Sequence, residues 1–198
     1  MAKDTEKPPG GSPRSLLADL PPTNPAVIKA FKNSRLANQH YAAIGRVAAS
    51  WARFEVTIDL WLTEFAGIPL EVGICFTGQM VGPRARVDAF IALVRHMGAD
   101  AKLVKQLNKL APEIEAAGRQ RNRAVHDVWE LSDATTPLRV ERTAFKTLRA
   151  LSVHVPTEEL QQFELQVIEL DTRFAVLAVQ IWDQLHASRD TTPPDTAP

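Results

Sequence analysis

The last third of the chain carries an apolar repeat that restricts the choice of fold more than any other feature. Between Thr157 and His186, one apolar series recurs every three or four residues, at Leu160, Phe163, Val167, Leu170, Phe174, Leu177, Ile181 and Leu185. This spacing predicts a single long α-helix. A second apolar face is formed by Leu165, Ile168, Val176, Val179 and Trp182. A helix this apolar is either central in a bundle or shared with a second subunit.

Helical spacing of apolar residues also dominates the middle of the chain. It recurs over residues 41–65 and 83–98, and the next helix is predicted from Asp100 to about Trp129. Near residues 132–155, a proline and the alternating stretch "LRVER" interrupt the helical pattern. The predicted fold class is therefore mainly α, a helical bundle of four to five main helices with a small hairpin-like insert.

Proline, glycine and polar residues mark both ends of the chain. Residues 1–24 carry few large apolar side chains, so they cannot bury enough surface to offset the entropy lost on ordering. We interpret them as a flexible Pro-rich arm, and residues 188–198 as a flexible tail. Asn24 followed by Pro25 is a favourable helix start. The folded part is therefore expected to span residues 25–187.

Composition excludes several classes of function. The chain has 23 basic and 23 acidic residues, so net charge gives no reason to expect non-specific binding to nucleic acid or membranes. Its one cysteine, Cys75, rules out an internal disulfide, and we interpret it as a small core residue. The sequence has neither a signal peptide nor a long apolar run, and no metal-binding motif. We expect a cytoplasmic protein without a metal or another cofactor.

The neutral total hides an uneven distribution of charge. Residues 83–126 carry nine Lys/Arg against four Asp/Glu, a net charge of +5, whereas residues 157–186 carry one against six, a net charge of −5. Such faces commonly pair with each other or with solvent. Alternatively, the basic region is a surface that binds a polyanion. The sequence leaves both interpretations open.

The stretch "GRQRNRAVHDVW", residues 118–129, has the residue types that phosphodiester chemistry needs. Arginine holds a phosphate through a forked set of donors, and histidine takes or gives a proton near neutral pH. RNA supplies its own nucleophile, the 2′-hydroxyl, so a metal is not strictly needed. The alternative is an ordinary basic helix end, where the helix dipole favours Arg and His, and Asp127 or Glu130 pairs with Arg123.

Helical geometry separates the members of this stretch. Asn122 and His126 are four residues apart and share a face, which Arg119 joins. Arg121 lies five residues before His126, about 140° around a regular helix. The two side chains can converge only if the helix ends near His126, or if a second copy of the chain brings its own pair to a shared groove.

An acidic residue interrupts the apolar stripe of the helix over residues 41–65. Glu55 lies four residues after Trp51 and three before Ile58, so it faces the core side. An unpaired buried carboxylate is costly. We therefore expect Glu55 to pair with Arg119 or Arg121, unless it lies at the edge of the stripe and reaches water.

The motif resembles the signature of HEPN domains. It consists of Arg121-Asn122, three further residues and His126, lies close to a helix end, and is followed by Val128-Trp129. That signature is an arginine, four to six residues and a histidine, usually with a polar residue directly after the arginine. The stretch "WARFEVTIDLWL", residues 51–62, resembles an earlier helix of the family. The resemblance covers about residues 40–186 in helix order.

The resemblance implies a four- or five-helix bundle that dimerises and brings two such motifs into one cleft. Active members are metal-independent endoribonucleases, often toxins or antiviral effectors, whereas others have lost catalysis and act as binding or scaffold modules. By this resemblance Arg121 and His126 are catalytic and Asn122 is the polar motif residue. The implied partners are RNA, a second copy of the chain and an antitoxin or regulatory protein. The second candidate function is a non-catalytic helical interaction or nucleotide-binding module.

Overall fold

The computed structural model describes residues 36–132, 136–143 and 149–190. The predicted arm, the helix start at Asn24-Pro25 and the tail beyond residue 190 lie outside these ranges. Within them the elements are, in chain order, α1 (Asn38–Ala66), α2 (Leu70–Thr77), α3 (Gly82–His96), α4 (Ala101–His126), β1 (Val128–Leu131), β2 (Pro137–Thr143), β3 (Arg149–His154) and α5 (Thr157–Asp190). The predicted mainly α fold with a small β insert is confirmed.

Helices α1 and α5 run side by side in the same direction. His40, near the start of α1, contacts Thr157, the first residue of α5. Near the other end, the rings of Phe65 and Trp182 meet edge to face at 5.2 Å. The two apolar stripes predicted for these helices therefore face each other and form the centre of the core.

Helix α4 runs in the opposite direction to α1. Gly118 of α4 lies against Trp51, while Trp129, just beyond the end of α4, contacts His40. A Cβ at Gly118 would lie 3.3 Å from Trp51 and 2.9 Å from Pro83. The absence of a side chain there lets α4 approach both α1 and the start of α3.

Aromatic and branched side chains fill the space between the helices. Phe90 of α3 contacts Phe65 and Phe174, at centroid distances of 5.2 and 5.1 Å, so one cluster joins α1, α3 and α5. Helix α4 adds buried residues at helical spacing, at Val104, Leu107, Leu110, Ala111, Ile114, Ala117 and Ala124. The predicted core stripes are thus buried in one continuous cluster.

The sequence pattern predicted that α4 ends near Trp129, but the helix ends at His126. Asp127 adopts an extended conformation (φ −71°, ψ 155°), and β1 begins at Val128. The strands form an antiparallel sheet in the order β1-β2-β3, with Trp129 opposite Arg139. The Trp129 indole still donates a hydrogen bond to the Ala124 carbonyl at 2.9 Å, so the helical end and the strand are joined.

Helix α2 does not bury the cysteine that we placed in the core. Cys75 is exposed, and the buried residues of this short helix are Gly73 and Thr77. The interpretation of Cys75 as a core residue is therefore wrong. No single helix in the described part of the chain is long and apolar enough to cross a membrane, although α1 and α2, bent by 117°, pass that test together by length and composition.

Candidate functional site

The motif residues lie where α4 ends and the sheet begins, a region that we call the motif end. His126 is the last residue of α4, and both it and Asn122 are exposed. Arg121 is half-buried, and its Nη1 donates a hydrogen bond to Asn122 Oδ1 at 3.0 Å. Since Asn122 shares a helix face with His126, this contact draws the guanidinium toward the histidine side.

The backbone of α4 nevertheless keeps Arg121 and His126 on different sides of the helix. Arg121 follows the buried Ile114 by seven residues and precedes the buried Ala124 by three, so it starts from the core-facing side. The end of the helix at His126 does not change that direction, because His126 itself still belongs to α4. The predicted separation of about 140° therefore holds within one chain.

The three arginines of the motif end differ in their partners. Arg119 forms an ion pair with Glu115 at 2.7 Å, and Arg123 lies 3.5 Å from Glu141. For Arg121, no carboxylate lies within ion-pair distance among the residues that the structure describes, and its buried Nε has no hydrogen-bond partner there. Arg121 therefore keeps a charge that no carboxylate of this part of the chain neutralises.

A shallow groove of about 330 Å³ runs beside the motif residues on the Arg119 side of α4. Its walls are Ala116, Arg119, Gln120, Arg123, Arg139 and Glu159. Arg119 and Arg123 remain 61% and 56% exposed, whereas Arg139 is buried between Asp127 and Glu141. The exposed pair can bind phosphate, because ion pairs in solvent exchange readily and contribute little.

Glu55 has a different partner from the two that the sequence analysis proposed. Its carboxylate lies 3.1 Å from Arg86 of α3, and Asp59, four residues further along α1, lies 3.2 Å from the same guanidinium. Arg86 also donates to the Thr77 carbonyl at 3.3 Å. These four residues form what we call the Arg86 cluster. The expectation that Glu55 pairs with Arg119 or Arg121 is thus wrong, although its need for a cation is confirmed.

The Arg86 cluster sets two carboxylates against one guanidinium. Burial raises the pKa of the Asp59 carboxyl, the Arg86 guanidinium and the Thr77 hydroxyl oppose that rise, and the Glu55 charge adds to it. The spacing of Glu55 and Asp59 by four residues places both on one face of α1 and was a usable signal for this pairing. The cluster joins α1, α3 and the end of α2 rather than the motif end.

His40 is a residue of the motif end that the sequence analysis missed. It is 1% exposed, its Nδ1 lies 3.1 Å from Thr157 Oγ1, and its ring meets Trp129 edge to face at 4.7 Å. Burial lowers the pKa of His40, and the nearby Glu158 opposes this. His40 precedes the buried Ala43 by three residues, so its place on the core stripe was readable. It joins the starts of α1 and α5 to β1 beneath the motif.

The acidic charge of α5 is met mainly by α1 rather than by the basic region. Arg46 binds Glu164 at 2.9 Å, and Arg53 binds Asp171 at 3.3 Å. The basic region supplies Glu113, not a cation, to Arg173. The basic side chains around the motif end are therefore not used to neutralise α5. Within the described ranges, no group of three or more His, Cys, Asp or Glu is arranged to hold a metal ion.

No family model matches the chain, and no curated protein or solved structure is significantly similar to it. Membership of the HEPN family accordingly stays a prediction from the resemblance of the motif and its helical setting.

Proposed function

We propose that the chain is a metal-independent endoribonuclease of the HEPN type that binds RNA at the motif end. The observation that carries the proposal is the state of Arg121, a half-buried cation without a carboxylate partner in the described residues, hydrogen-bonded to Asn122 beside the exposed His126. A guanidinium in this state is ready for an external anion, and a phosphate fits its forked donors. The exposed Arg119 and Arg123 supply further positive charge for the adjoining phosphates.

The chemistry follows from the residue types. Arg121 holds the scissile phosphate, and a histidine takes the proton of the 2′-hydroxyl as its oxygen attacks phosphorus. The bond from phosphorus to the 5′-oxygen then breaks, and that oxygen receives a proton from a second acid. Because Arg121 and His126 lie on different sides of the same helix, a second copy of the chain supplies the complementary Arg121 and His126. The active site is therefore composite, and a toxin or defence protein of this kind is controlled by an antitoxin or regulatory partner.

A ribonuclease assay in EDTA tests the proposal. Wild type is expected to cleave single-stranded RNA. His126→Ala is expected to lower the rate by about 10²- to 10⁴-fold, the usual contribution of general acid–base catalysis. Arg121→Ala is expected to lower it by about 10²- to 10³-fold, the usual cost of removing a donor to the transition-state charge. Arg95→Ala and His96→Ala are matched controls, because this exposed Arg-His pair lies in the last turn of α3. Absence of cleavage by wild type, or activity that survives both motif substitutions, would overturn the proposal.

The alternative is a non-catalytic module that binds nucleotides or RNA. The exposed Arg119 and Arg123 favour it, because they line a groove where a phosphate can bind without contact with Arg121 or His126. Binding of a labelled RNA that weakens with salt and with Arg121→Ala, but proceeds without cleavage, would support this alternative.

A further inference from the structure

Except for Trp182, which packs against Phe65, the second apolar series of α5 remains on the surface of the bundle. Leu165 is 65% exposed, Ile168 40%, Val176 50% and Val179 43%. The residues that α5 buries, including Val167, Phe174 and Ile181, lie on the opposite side of the helix. Helix α5 therefore has two apolar faces, of which the bundle covers one.

Thr172 makes the exposed series continuous. It lies four residues after Ile168 and four before Val176, and its hydroxyl donates to the Ile168 carbonyl at 2.9 Å. With the hydroxyl bonded to its own helix, the methyl group is left for packing. We call the resulting stripe the α5 seam: Leu165, Ile168, Thr172, Val176 and Val179. Its steps of three, four, four and three residues average 3.5, the repeat of a left-handed coiled coil, and extend over about 21 Å, which suits packing against another helix.

We propose that the α5 seam binds the same seam of a second copy, with the two helices antiparallel and the two-fold axis near position 171. The flank of the seam is self-complementary about that position. Glu169 and Arg173 lie two residues on either side of it, and Gln162 and Gln180 lie nine residues on either side, all on one flank. A two-fold axis there sets each Glu169 opposite the second copy's Arg173, as an isologous interface requires.

Side chains of the seam also interleave in this register. Leu165 falls between the second copy's Val176 and Val179, and Ile168 falls between its Thr172 and Val176. A parallel pair would instead bring the Glu169 flank against the opposite flank and leave the Glu169–Arg173 pairing unmade. Within one chain Arg173 binds Glu113 at 2.7 Å and lies 3.9 Å from Glu169 of its own helix. Because Glu169 is 68% and Arg173 43% exposed, these ion pairs contribute little and can exchange for the contact between copies.

The α5 seam is separate from the motif end. Thr157, which contacts His40 there, lies fourteen residues before position 171, or about 21 Å along α5. The two motif ends of a seam-linked pair are therefore about 40 Å apart along the helices. The inference does not rest on the proposed ribonuclease.

The molar mass in solution, measured by light scattering at micromolar concentration, tests the seam. Val176→Glu is expected to halve the mass of the wild-type assembly, because it buries a carboxylate in an apolar contact. Val72→Glu is the matched control, since this valine of α2 is 46% exposed and lies outside the seam. A monomeric wild type, or a Val176→Glu variant with the wild-type mass, would overturn the proposal. Circular dichroism verifies that both variants are folded.

A charge swap tests the antiparallel register. Glu169→Arg, and separately Arg173→Glu combined with Glu113→Gln, each set like charges opposite each other and are expected to raise the dissociation constant about tenfold. Mixed one to one, the two variants pair opposite charges again, so native mass spectrometry should show the hetero-assembly in excess over both homo-assemblies. A statistical mixture, or no recovery on mixing, would show that the two helices do not pair in this register.

Discussion

The Arg86 cluster and the motif end both place an arginine among apolar helices, but they treat its charge in opposite ways. Arg86 is 14% exposed and lies within 3.2 Å of carboxylates on two successive turns of α1. Arg121 is half-buried and bonds a neutral amide. Partial burial of a cation is costly, and of these two arginines only Arg86 has carboxylates that offset the cost. The comparison indicates that Arg86 serves the fold, and it supports the proposal that Arg121 binds an external anion.

Arg86→Met is expected to change the free energy of unfolding more than any other substitution in this comparison. Removing the cation leaves Glu55 and Asp59 half-buried without their partner, and breaking such a pair from one side costs about 3 to 5 kcal/mol. Urea unfolding followed by circular dichroism measures the change. A triple variant that adds Glu55→Gln and Asp59→Asn removes the stranded charges and should recover a large part of the loss. A loss below about 1 kcal/mol in the free energy of unfolding for the single change would show that the ion pairs of Arg86 contribute little in solution.

An intermediate effect is expected from His40, which is buried under the motif end. Its pKa is lowered from the usual 6.5, so the unfolded chain binds this proton more readily than the folded one. The free energy of unfolding should therefore fall as the pH drops below 6.5, by up to about 1.4 kcal/mol per pH unit for one proton, until the folded pKa is passed.

Urea unfolding at several pH values between about 7.5 and 5.5 compares wild type with His40→Gln, whose slope should be shallower. His126→Gln is the control for the replacement of an exposed histidine. Equal slopes for wild type and His40→Gln would contradict the buried, uncharged state of His40.

The smallest effect, with the opposite sign, is expected from Arg121→Met. It removes a half-buried charge that no carboxylate of the described chain neutralises, so stability should stay equal or rise by about 0.5 to 1 kcal/mol. The same substitution at Arg86 is expected to lower stability. Opposite signs of the two stability changes would distinguish Arg121 from Arg86 most directly. A loss of more than about 1 kcal/mol for Arg121→Met would mean that Arg121 is a structural cation like Arg86.

Much of the helical architecture was readable from local spacing. The apolar stripes over residues 41–65 and 157–186 became α1 and α5, because a stripe of this kind can be buried only as a helix. The end of α4 was misplaced by three residues. Val128 and Trp129 continue the apolar pattern, but they pair with β2, and pairing partners distant in sequence do not show in a local pattern.

Glu55 shows more clearly what local spacing in the sequence cannot predict. Its position on the core stripe predicted a cation, and a cation is there. The expected partner was Arg119 or Arg121. The packing of α3 across α1 instead brings Arg86 to Glu55 and Asp59. The choice among several arginines depends on which helices touch, which spacing along one helix does not contain.

By itself, the sequence determined the buried faces of the main helices, the need of Glu55 for a partner, and the separation of Arg121 from His126 around one helix. These are local properties, set by 3.6 residues per turn and the cost of burying charge. Only the tertiary structure decided which arginine is neutralised, that His40 lies under the motif end, and that the second face of α5 stays uncovered. Those outcomes depend on how helices pack together, and long-range packing is fixed by the sum of many contacts rather than by any one stretch.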